Sequence, residues 1–237
     1  MEKIIYALWR PPGLEQEAFN AALLEQLPPA LTAAGAERVR INLRDAAVAP
    51  AAGLVQRWQD PQQDAVVQLW FPSANAMFRQ PIDAAIAAAC GHFAAWLVVE
   101  STIIANQQHT AKAGERTWGW SQASFISFRP DMARADAIAH WHSHHTRVAI
   151  ETQTNFEYIQ NLIVMPLTDG APDYDAFVEE CFPAEAMTDP AVFFDAVGDA
   201  AKFDANLAAM THSCAGFIDF ARIDIIPTSQ YDLGAER

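Results

Sequence analysis

The sequence predicts an α+β chain of two tandem β-α-β-β-α-β units, each a four-stranded antiparallel sheet with helices on one face, the two sheets packed face to face. Three observations carry that expectation. The chain repeats itself: DAVVQLWFPSANAM (64–77) and DAFVEECFPAEAM (175–187) share the run Asp-Ala-x-Val-x-x-x-Phe-Pro and both close on Ala-Met. Short apolar or alternating runs take turns with longer alanine-rich stretches, in the same order in both halves. That order is the split βαβ, or ferredoxin-like, arrangement, whose bare sheet face needs a cover that a second unit supplies.

The elements follow in register. IIYALWRPPG (4–13) and FISFRPDM (125–132) are each an apolar strand closed by Arg-Pro. A helical stretch comes next, LEQEAFNAALLEQLPPAL in the first half and RADAIAHWHSHHTRVAI in the second. ERVRINL (37–43) and FEYIQNLIV (156–164) supply the second strands, and the duplicated motif supplies the third. Each half ends with a helix and a β-branched run, AWLVVESTII (95–104) and GFIDFARIDII (216–226). Between them NQQHTAKAGERTWGW (106–120) is polar and aperiodic. The expected units are therefore 1–105 and 121–237, with 106–120 as linker and the pair Trp118 and Trp120 pinning it.

The 237 residues are 51% hydrophobic and 19% charged, enough for one large core or two modest ones. With 15 basic against 29 acidic residues the formal charge is −14, which disfavours nucleic-acid backbones and anionic membranes as partners. The nearest approach to a membrane span, IDAAIAAACGHFAAWLVV, is interrupted by Asp83, Gly91 and His92. The first residues, MEKIIYALWRPPG, do not read as a secretory signal. Cys90, Cys181 and Cys214 are odd in number and scattered, as expected in a reducing, cytoplasmic setting.

Four of the seven histidines fall within HWHSHH (140–145). At about 100° per residue, the apolar stripe of this helix centres on Trp141 and Val148. His144 and His145 sit on its two shoulders, His140 and Arg147 form a neighbouring edge, and His142 faces solvent. A histidine facing inward is commonly a hydrogen-bonded structural residue. This cluster has no counterpart in the first half, where Leu23, Gln26 and Leu27 stand instead and Gln68 replaces Glu179. On the following strand Phe156, Tyr158 and Gln160 share one face, and Glu157, Ile159 and Asn161 the other. Imidazoles titrate near neutrality, so two adjacent ones could divide base and acid roles. His140 and His144 also have the spacing of two metal ligands on one helix face, with Glu179, His212 or Tyr158 as a third. No nucleophile elbow, dinucleotide fingerprint or Walker loop is present.

The order of FISFRP, Trp141-x-x-x-His145, FEYIQN and Glu179 before Phe182 resembles the EthD-like branch of the dimeric α/β-barrel superfamily, here as a tandem repeat in one chain. After the histidine the chain reads TRV where most members have a Gly-Pro-Leu-like continuation. The resemblance implies an intramolecular barrel and a cofactor-independent site acting on an aromatic, phenolic or polyketide-like small molecule. The expected activity is of the lyase or isomerase type: carbon–carbon or carbon–oxygen cleavage, dehydration or cyclisation. His145 would be the base by its match to the motif, His144 the partner acid and Tyr158 a third catalytic group. Trp141, His140, Arg147, Phe156, Asn161 and Glu179 would bind substrate or set pKa values. The alternatives are a non-catalytic binding protein of a degradative or biosynthetic pathway and a metal- or haem-dependent enzyme. An internal pseudo-dimer is compatible with a monomer or a homodimer.

Overall fold

A computed structural model describes residues 1–233. The strands are β1 (Glu2–Trp9), β2 (Arg38–Leu43), β3 (Ala65–Phe71) and β4 (His92–Ile104) in the first half, and β5 (Trp120–Phe128), β6 (Glu157–Pro166), β7 (Ala176–Phe182) and β8 (Ile218–Asp232) in the second. The first half carries helices α1 (Gln16–Ala33) and α2 (Ala76–Ala89). The second carries α3 (Arg134–His140), a π-helical turn (Trp141–His145) running without a break into α4 (Thr146–Thr152), the short α5 (Pro190–Phe193) and α6 (Ala200–Ala215).

Within each half the strands pair antiparallel in the order β4-β1-β3-β2 and β6-β7-β5-β8, the expected ferredoxin-like arrangement. The expectation of two sheets stacked face to face is corrected. The sheets join along both edges, β2 to β8 and β4 to β6, into one closed eight-stranded barrel. An open four-stranded sheet leaves two rows of unpaired backbone groups, and closure pairs strands along both of these edges. Long strands make the closure possible. β4 pairs with β1 along His92–Val98 and continues against β6 to Ile104, while β8 leaves β5 near Thr228 and pairs with β2 from Ser229 to Asp232.

Closure creates three interiors. Phe19, Leu23, Leu27 and Leu31 of α1 pack with Ile82 and Ile86 of α2 on the outer face of the first sheet, filling that layer. The lumen is apolar at one end, where Trp96, Phe125, Tyr174 and Phe177 meet, and polar at the other. In that polar end Arg40 donates to Glu179 (2.8 Å) and Glu157 (3.1 Å), and Gln68 donates to Glu179 (2.7 Å). The third interior lies between the second sheet and α3–α6, and it is incompletely filled.

The connection from β4 to β5 is tied to the end of β8. Gly114 and Thr117 donate backbone N–H groups to Asp232 and Gln230, and the exposed Trp118 packs over His109 and Phe156. Gly119 has φ +81°, and a Cβ there would lie 2.1 Å from the Phe182 carbonyl oxygen. Trp120 is buried at the start of β5.

Candidate active site

A cavity of about 440 Å³ occupies the third interior. Its floor is the outer face of the second sheet and its walls are helical. Strand register places the polar groups in rows: Tyr158 on β6 lies opposite Glu180 on β7, which lies opposite Gln122 on β5. Directly paired residues sit about 4.5–5.5 Å apart at their Cα atoms, so these side chains share one patch. The next row holds Gln160, Val178, Ser124 and Ile225. Phe193, Phe194, Met210, Phe217 and Ile223 make the rest of the lining largely apolar and aromatic, the usual character of a small-molecule site.

Glu180 is the outstanding group. Burial drives its carboxyl up to about 7, with only a hydrogen bond from Asn155 (2.8 Å) acting against the shift. Burial and the neighbouring charges of His140 and His144 push His145 down to about 4, so its ring is neutral near pH 7. Its Nδ1 lies 3.0 Å from Ser213 Oγ. Burial, followed by the proximity of Glu180, raises the Tyr158 phenol well above its ordinary range. The Tyr158 oxygen accepts from Gln160 Nε2 (2.7 Å) and Trp141 Nε1 (3.4 Å). Ser124 Oγ, in the floor and buried, has no hydrogen-bond partner among the described residues.

The π turn positions two of these groups. Its wide bond runs from the Thr146 N–H to the Trp141 carbonyl, five residues back, and Thr146 Oγ1 donates to the same carbonyl at 2.8 Å. Trp141 and His145 thereby fall on one face one turn apart, and both line the cavity. Gln160 donates to Thr146 as well as to Tyr158, linking the turn to the floor (2.8 and 2.7 Å).

Of the residues singled out in the sequence, Trp141, His145 and Tyr158 come together here. His144 is half-buried outside the lining, its ring 5.0 Å from that of His140. His140 Nε2 lies 3.1 Å from the Ser213 carbonyl, and its ring packs on Gly216, so it caps the C-terminal end of α6. Arg147 is exposed and pairs with Glu151 on its own helix. Phe156 packs edge-on against His109 and is not part of the cavity lining. Asn161 and Glu179 point into the barrel lumen, on the opposite face of the sheet. The reason for the misplaced glutamate is that every residue of β7 is buried, leaving no polar alternation to say which of Glu179 and Glu180 faces which side. Glu180, Ser124 and Gln122 escaped the sequence reading. The doubled glutamate in FVEECF was the available signal.

Among the described residues, Glu157, Glu179 and Cys181 bring three potential metal ligands within 4.8 Å of one another in the lumen. Arg40 already donates to both carboxylates, and the Gln230 amide donates to Glu157 (2.5 Å), Glu179 (2.9 Å) and Cys181 (3.4 Å). Burial pushes Glu179 up, but Arg40 and the amide donors outweigh it and hold the carboxyl below its usual range. This donor set suits an internal ion pair better than a cation. Among the described residues no helix is long and apolar enough to cross a membrane.

Residues 129–221 match the EthD domain. The fold is similar to that of an anthrone oxidase-like protein, with a TM-score of 0.59 and 8% identity, covering 100% of this chain and 94% of that one. It also aligns with candidate monooxygenases from Lactobacillus acidophilus NCFM (TM-score 0.48, 10% identity, covering 99% and 97%) and Fusobacterium nucleatum (0.48, 7%, covering 100% and 94%). No curated protein matches the sequence.

Proposed function

We propose that the protein, whose residues 129–221 match the EthD domain and whose strands close a single-chain α/β barrel, is an enzyme that takes a proton from a flat, largely apolar aromatic or phenolic substrate, using its own side chains. The observation behind this is the Glu180 carboxyl, raised to about 7 beside Tyr158 and Ser124 in an apolar cavity. A base poised near the working pH is the most effective one, because it is partly ionised and still basic.

Glu180 accepts a proton from a carbon or hydroxyl conjugated to the ring. The electron pair moves onto a substrate oxygen, where the hydroxyls of Ser124 and Tyr158 serve as donors. The neutral imidazole of His145 is available to hydrogen-bond a second substrate oxygen. Return of the proton from Glu180 to another atom yields an isomer. Delivery to a departing hydroxyl yields water and a dehydrated product.

The name of the anthrone oxidase-like protein favours a second fate for the same anion. Dioxygen is then the co-reactant: the ring methylene becomes a carbonyl, one oxygen atom is retained, the other leaves as water, and the electrons pass from substrate to dioxygen. Anthrone in deuterated buffer tests both. Under nitrogen, the enzyme should accelerate loss of the methylene proton signal, and Glu180→Gln should slow this at least about 100-fold. Under air, oxygen uptake reports the second fate. Exchange unaffected by Glu180→Gln would reject the assignment.

A further inference from the structure

The cavity is not enclosed by the C-terminal half alone. The connection between β2 and β3 is long and crosses onto the other half, where Gln56 and Ile225 exchange both backbone hydrogen bonds (3.2 and 3.0 Å). Gly53, Leu54, Val55 and Gln56 thereby stand in the cavity wall. Leu54 packs on the cluster of Val48, Trp120, Phe182 and Ala186, so this segment meets the α5 region at the rim. Its far end is anchored by Asp224, fully buried, which accepts from the Trp58 and Gln59 N–H groups, Gln62 Nε2 (2.7 Å) and the Tyr174 hydroxyl (2.6 Å). The pseudo-equivalent connection between β6 and β7 is much shorter. It touches the other half through Leu167 N–H to the Ala95 carbonyl (2.8 Å), beside a layer already filled by Phe19, Leu23 and Leu27.

We infer that residues 53–56 of the N-terminal repeat set the size of aromatic substrate accepted by the C-terminal repeat. A fused-ring ligand held at Glu180 extends to this wall; a single ring does not. The inference rests on the proposed use of the cavity, and the wall itself takes no part in proton transfer. A direct consequence is that selectivity and turnover separate: residues 53–56 govern affinity by ring count, and Glu180 governs rate.

Gly53→Trp is the clean variant. A Cβ at Gly53 meets nothing within 4 Å, so the added side chain starts in open space beside the cavity lining. Calorimetric titration of anthrone and phenol into wild type and variant reads the effect without requiring turnover. Anthrone affinity should fall at least tenfold and phenol affinity should stay within twofold. Gln56→Pro, which removes the N–H given to Ile225, should narrow the wild-type preference for anthrone over phenol. Unchanged anthrone affinity in Gly53→Trp, or equal losses for both ligands, overturns the inference alone. Failure of wild type to bind either ligand overturns it together with the reading on which it rests. Glu180→Gln should keep anthrone affinity while losing exchange, which separates the two assignments.

Discussion

At the scale of single residues, one proton position decides most of what can be measured. Glu180 keeps its proton up to about pH 7 in the folded chain, against an ordinary value of 4.5. Between those pH values the folded state binds more protons than the unfolded one, so stability falls as pH rises through the interval, by on the order of 3 kcal/mol. Glu180→Gln should therefore be more stable than wild type at pH 8 and no more stable at pH 4, as denaturant titration at the two pH values would show. The same ionisation should appear in catalysis as a rise in kcat/KM through about pH 7, absent in the variant. His145 is shifted the other way, to about 4, so no step near pH 6.5 belongs to it. A step there that vanished in His145→Asn would contradict this reading. The sequence displayed the histidines and concealed the glutamate. Clustered imidazoles attract notice, whereas a strand buried on both faces hides which carboxylate lies on the cavity side.

Among elements, the π turn explains why regular helical periodicity located the histidines only in part. A uniform 100° step puts His144 and His145 at matching shoulders, but the widened turn brings His145 under Trp141 and leaves His144 outside the lining. Nothing in WHSHHT announces a six-residue ring. Thr146 supports the turn, bonding the Trp141 carbonyl twice and accepting from Gln160. Thr146→Val should cost about 1–2 kcal/mol in denaturant unfolding. It should also lower kcat more than it raises KM, because Gln160 and Tyr158 lose their fixed partner. The strand order was legible because each half repeats its motifs in the same succession. Gly119 marks a second element-level constraint: the Phe182 carbonyl leaves no room for a side chain, and the positive φ disfavours one. Gly119→Ala should lower the midpoint of thermal unfolding markedly while leaving Gly53→Ala near wild type.

For the molecule as a whole, the repeat was readable in the residues themselves, whereas the barrel came only from the family resemblance and the sheets were expected face to face, since edge pairing depends on where β4 and β8 run on past their own sheets. The closed lumen holds Arg40 between Glu157 and Glu179. Arg40→Met should cost about 3–5 kcal/mol near neutral pH, because it strands two buried carboxylates, and less in acid, where they take up protons. Chemical unfolding at pH 7 and pH 4 would separate the two conditions. The lumen also records what covalent fusion permits. Gln68 and Glu179 occupy the same position in the two repeats, yet they meet as donor and acceptor at 2.7 Å. In a two-fold homodimer each residue at that position would face its own copy, glutamate against glutamate or amide against amide. Joining the halves in one polypeptide lifts that self-facing requirement. One copy can carry the charge and the other can solvate it, just as one helical layer can be packed solid while its twin stays hollow.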